Sequence, residues 1–105
     1  MNIDPDVQVI AHRWGLPAEL LQAVVQAEGN IVKAVQCSIP SVQTRDEALQ
    51  VLARSCTHAM ADFIHLEDKD GFITFWAARW APEHVANDPT HLNSNWAGNV
   101  QALWT

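Results

Sequence analysis

Tyrosine is absent from this chain, and positive charge is scarce: six Lys and Arg stand against twelve Asp and Glu, a formal charge of −6. So few cations leave no basic patch of the kind that nucleic-acid binding needs, and no nucleic-acid partner is expected. Cysteine is scarce too. Cys37 and Cys56 form no CxxC pair and share no zinc-type spacing with the five His, so neither a metal nor a cofactor is expected. One disulfide or two reduced, buried thiols both fit the pair. No apolar run approaches ~20 residues, so no transmembrane helix is expected. The opening MNIDPDVQVIAHRW has neither a basic start nor a long apolar stretch, so no secretory signal is expected. Repeats, low-complexity tracts and alternating apolar–polar runs are missing as well, which argues against arrays and strands.

What remains is a chain of 105 residues, 49% apolar, enough for one small domain with a packed core. Its periodicity is helical. Asp4-Pro5 reads as an N-cap with proline at the first helical position, followed by Val7, Ile10, Ala11 and Trp14 and stopped by Gly15. Pro17 opens a second helix running to Glu28. Ile31, Val32, Ala34 and Val35 suggest a short third segment, and CSIPSVQ reads as a loop. Thr44 and Glu47 have capping-box spacing. The helix behind them, with Ala48, Leu49, Val51, Leu52, Cys56, Ala59, Met60, Phe63 and Ile64 inward, is expected to reach about Leu66 and to form the spine. A further helix carries Phe72, Ile73, Phe75, Trp76 and Trp80, capped by Asp68 or Asp70 and stopped by Pro82. A last one holds Trp96, Val100, Leu103 and Trp104. The expected fold is all-α: five to six helices around a long central one.

The second helix ends on a carboxylate. Counting back from Glu28 by three, four and seven residues gives Val25, Val24 and Leu21, so Glu28 continues an apolar stripe. Apolar neighbours disfavour the charged carboxylate, a condition that suits a general acid working near neutrality. A helix C-terminus is also a poor place for negative charge, by about 0.3–1 kcal/mol. The plain alternative is a surface charge at a frayed end.

WGLPAELLQAVVQAEGN, residues 14 to 30, resembles the first catalytic motif of lytic transglycosylases and goose-type lysozymes, whose catalytic glutamate would correspond to Glu28. In that superfamily Ser usually follows the glutamate; here Gly29 does. FWAARWAPEHVANDPTHLNSNWAGNV, residues 75 to 100, is similar to the C-terminal segment of small phage and bacterial proteins with a lysozyme-like or glucosaminidase-like fold, through Asn87-Asp88-Pro89 and Asn93-x-x-Trp96. The two segments cover about two-fifths of the chain. The usual Gly-Leu-Met-Gln segment is replaced by KAVQCSIPSVQ, where Gln36, Ser38 and Gln43 are the nearest polar side chains, and the usual Tyr-Asn-Ala-Gly motif is absent.

The resemblance implies a compact lysozyme-like domain that cleaves peptidoglycan glycan strands with a single glutamate as acid and then base. The remaining acids suit that scheme: Glu19, Glu47 and Asp62 fall at caps or polar faces, and Asp88, the best second carboxylate, precedes a proline as turn formers do. For sugar binding, Asn87, Asp88, Asn93, Asn95, Ser38 and Gln43 offer polar groups, while Trp80 and Trp96 offer flat faces. Trp76 and Trp104 are assigned to the core, Arg79 to the surface with a peptide carboxylate as its alternative partner, and His58 to the helix surface or a half-buried position. A non-catalytic lysozyme-like phage structural or glycan-binding or protein-binding module, and a plain helical interaction domain, are the competing readings. Without a signal segment, the expected location is cytoplasmic synthesis with carriage in a phage virion, among lysis components, or delivery to the periplasm.

Overall fold

Proline and glycine set the first helical boundaries. In the computed structural model, which describes residues 2–64, 71–80 and 95–104, α1 runs Pro5–Trp14 with Pro5 in the first turn and Gly15 as its left-handed C-cap. The Gly15 N–H donates to the carbonyls of Ala11 and His12. Next come α2, Ala18–Glu28; α3, Ile31–Gln36; α4, Arg45–Phe63; α5, Phe72–Trp80; and α6, Trp96–Trp104. The described residues are helical and contain no strand, in agreement with the periodicity of the sequence. None of these helices is long and apolar enough to cross a membrane.

α2 is the most enclosed element. Leu20 to Val25 are all buried, Gln22 included, so the middle of the helix is covered on every side, while Glu19 and Gln26 near its ends are exposed. It packs against α1, α3 and, most extensively, α6. α4 is the longest helix and contacts α1, α3 and α5. Its buried stripe is Ala48, Leu49, Leu52, Ala53, Cys56 and Ala59. Val51, Met60 and Phe63 are half-buried, and Ile64, expected inside, is exposed at the C-cap of α4, which ends at Phe63; Leu66 lies outside the described residues. Trp104 is also exposed rather than in the core. At the end of α6 it has run past the last buried position of that helix, Val100.

Asp4 departs from its expected role. It stands at the N-cap position of α1, but its side chain makes no cap hydrogen bond. Arg45 Nη2 donates to Asp4 Oδ2 at 2.7 Å and Arg45 Nε to Asp6 Oδ2 at 2.7 Å, tying the start of α1 to the start of α4. Asp4 also satisfies the buried Gln22: its backbone N–H donates to Gln22 Oε1 at 3.0 Å, and Gln22 Nε2 donates to Asp4 Oδ2 at 3.3 Å. The ion pairs are half exposed and contribute only about 0–1 kcal/mol each. The value of the cluster is that a buried amide keeps its partners.

Thr44 caps α4 as expected. Its Oγ1 accepts from the Glu47 N–H at 3.1 Å and donates to Glu47 Oε1 at 3.1 Å. Thr44→Ala should lower unfolding free energy by about 0.5–2 kcal/mol, the usual loss for a removed cap. A shift of the urea midpoint at unchanged slope would register it.

Candidate functional site

Gly29 places Glu28. Its φ of 74° and ψ of −52° lie in a region that residues with a Cβ rarely enter, and its N–H closes α2 onto the Val25 carbonyl. This accounts physically for glycine at position 29. Asn30 follows at once as N-cap of α3, accepting from the Lys33 N–H at 3.1 Å. Two helices therefore meet within two residues. Glu28 is the last helical residue of the first, half-buried, with Leu21 and Val24 fully buried behind it on the same face.

Glu28 borders a pocket of about 280 Å³. α3 and the turn after it contribute Ala34, Val35, Cys37, Ser38 and Ile39. α4 contributes Val51 and Ser55, and α5 contributes Arg79 and Trp80. The volume is at the small end for ligand pockets and suits one ring-sized group. Glu28 is the single carboxylate among the described lining residues. Among the described residues no three His, Cys, Asp or Glu side chains cluster to hold a metal ion.

Two indoles converge on the carboxyl. Trp96 Nε1 donates to Glu28 Oε1 at 2.8 Å, and Trp80 Nε1 donates to the same oxygen at 3.1 Å. An indole N–H can only donate, so Oε1 is fixed as an acceptor. Among the described residues no hydrogen bond reaches Oε2. Both rings lean on Trp76, with centroids at 6.2 Å for Trp80 and 5.4 Å, edge-on, for Trp96. Trp76 is fully buried and its Nε1 donates to Ser55 Oγ at 2.9 Å. Since Ser55 accepts that bond, its own hydroxyl hydrogen is left to donate at the pocket wall.

The sequence-derived residues divide as follows. Glu28, Ser38 and Trp80 border the pocket. Trp96 joins the site through its N–H alone: it is 5% exposed, and its ring packs in the core and presents no open face to a sugar. Gln43 is exposed and does not line the pocket; Gln36 instead braces the loop, Nε2 donating to the Val42 carbonyl at 2.8 Å. Asn95 is exposed, one residue before α6. Asn87, Asp88 and Asn93 lie outside the described residues. Ser55 was not anticipated, since an isolated serine inside a helix carries no sequence signal. Arg79 reaches the pocket, but its Nη2 is held by Asp62 Oδ2 at 2.7 Å and its guanidinium lies over the Phe75 ring at 4.8 Å.

The two thiols have separate environments. Both are free; Cys37 is exposed at the pocket edge and Cys56 is buried in α4. Burial pushes the Cys56 thiol up to about 12. A thiol reagent at mildly alkaline pH is expected to modify Cys37 alone in the folded chain and both cysteines in denaturant, since the thiolate is the reactive form. Intact-mass measurement would count the adducts. Comparison of the chain with protein-family models, curated proteins and solved structures gives no match.

Proposed function

We propose that this chain cleaves the glycan strands of peptidoglycan, as a lytic transglycosylase or muramidase, with Glu28 as both acid and base. One observation carries the reading. A half-buried carboxyl has one oxygen fixed by two neutral donors and stands at the edge of a pocket that takes a ring-sized group. Glycoside cleavage needs such a group to protonate the leaving oxygen as an oxocarbenium-like centre develops. The local likeness of residues 14 to 30 to the transglycosylase motif supports the same residue.

In the proposed reaction the Glu28 carboxyl gives its proton to the glycosidic oxygen as the bond from that oxygen to the anomeric carbon breaks. The resulting carboxylate then takes the proton of the sugar's own primary hydroxyl, whose oxygen bonds the anomeric carbon and closes an anhydro ring. Glu28 ends protonated, as it began. In a muramidase, water takes the place of that hydroxyl. A single carboxylate on the described lining fits this economy better than a paired scheme. A phage virion or lysis system acting on the cell wall is the proposed setting.

Purified peptidoglycan incubated with wild type and with Glu28→Gln, over a broad pH range, tests the reading. Soluble muropeptides are expected from wild type only. Anhydro ends would identify a transglycosylase and reducing ends a hydrolase. No release by wild type at any pH rejects the enzyme in favour of a non-catalytic module.

A further inference from the structure

We propose that Trp80 and Trp96 are positioning residues that hold Glu28 in one orientation through both of its protonation states, an inference that rests on the glycosidase reading above. An acid that must become a base, and then an acid again, has to keep the same place while its charge changes. A cation beside it would not serve equally, because an ion pair favours the carboxylate over the acid. Neutral indole donors also bind the carboxylate more strongly than the acid, but they carry no full charge and hold both forms. The oxygen they meet can be the carbonyl oxygen of a carboxylic acid or one oxygen of a carboxylate, and it accepts in either form. With Oε1 occupied by two N–H groups at 2.8 and 3.1 Å, a proton on the carboxyl belongs on Oε2, and Oε2 is the oxygen that gives and retrieves it.

The surroundings fit a fixed clamp. The one described cation on the pocket wall, Arg79, is turned to Asp62. The donors come from two helices, Trp80 at the end of α5 and Trp96 at the start of α6, so both elements must pack at Glu28 for the clamp to close. Both rings rest on Trp76, which Ser55 anchors in turn. The pairings span 52 and 68 residues of chain, so the fold, not local geometry, aims the carboxyl.

A proton–nitrogen correlation spectrum shows the indole N–H signals directly, and Trp80→Phe and Trp96→Phe identify the two concerned by deleting them. Glu28→Ala is expected to move both signals upfield and speed their exchange with solvent, with the signal of the exposed Trp104 unmoved. Should Glu28→Ala not fold, Glu28→Gln, a weaker acceptor, should move the same two signals by less. In the lytic assay each Trp→Phe variant should lose roughly ten- to a hundredfold in turnover, the scale of a misplaced catalytic group. For Trp96→Phe, whose ring does not line the pocket, the substrate concentration for half-maximal rate should change less than about twofold, because a positioning loss acts on the transition state and not on binding. Indole signals indifferent to Glu28 overturn the clamp and leave the glycosidase reading standing. So does full turnover in both Phe variants. Signals that shift in Glu28→Ala, beside a wild type that releases no fragments, overturn the glycosidase reading, and the clamp's role in catalysis falls with it.

Discussion

Glu28→Gln should reduce muropeptide release on the order of 10²–10⁴-fold, the usual contribution of a positioned general acid–base. Glutamine is the informative replacement because its carbonyl oxygen can still accept from Trp80 and Trp96, as Oε1 does now. The amide nitrogen then occupies the place of Oε2, where it can donate a hydrogen bond but cannot transfer a proton at neutral pH. The fold should survive. Hydrogen bonds to charged groups contribute about 1.5–3 kcal/mol and neutral ones about 0.5–1.5, so the exchange weakens two bonds without removing them. Removing a negative charge from the C-terminus of α2 returns about 0.3–1 kcal/mol through the helix dipole. A net loss near 1 kcal/mol, read from urea unfolding, is therefore expected beside the loss of lysis. Equal activity in wild type and Glu28→Gln would move the chemistry to another residue.

The features legible in the sequence are those encoded within one or two helical turns. Pro5 and Gly15 bound α1 because one lacks an N–H and the other tolerates positive φ. Thr44 and Glu47 announce α4 by the reach of a hydroxyl to the third N–H beyond it. The stripe of Leu21, Val24 and Val25 marks Glu28 as a carboxylate facing inward, and all three are buried. Pairings across the fold stay hidden. Asp4 looks like a cap, yet Arg45 draws its side chain away from a distance of 41 residues. Trp96 looks like a sugar platform because aromatic type says nothing of which end of the ring is buried. Its body is in the core and its N–H is at the site. Asn30 starts α3 two residues after Glu28, as the N-cap that follows the Gly29 ending α2. The run of apolar residues in α2 points to a buried helix; that the middle of this helix, rather than the longer α4, is enclosed depends on where α6 packs.

Trp76 connects the stability of the domain to the geometry of the site, and its removal should be felt in both. The ring is fully buried, touches Phe72 at 5.7 Å besides Trp80 and Trp96, and holds Ser55 by its N–H. Trp76→Ala should cost about 3–5 kcal/mol, the range for large aromatic truncations in a core. Against a total of about 5–15 kcal/mol for a domain, that places the variant near its unfolding threshold. Trp76→Phe keeps most of the ring and loses the bond to Ser55, so its cost should be nearer 1–2 kcal/mol, and it remains testable if the alanine variant does not fold. The alanine variant removes the surface that Trp80 and Trp96 lean on, and the phenylalanine variant shrinks it and loses the Ser55 anchor, so turnover should fall even at temperatures where the chain is fully folded. Leu49→Ala supplies the comparison. Leu49 is buried in α4 and does not line the pocket, and its truncation should cost about 2–5 kcal/mol with turnover of the folded fraction unchanged. If Trp76→Phe and Leu49→Ala lower stability and both leave turnover alone, the three-ring cluster is core packing only. A drop in turnover confined to the Trp76 variants would place the cluster in the support of Glu28.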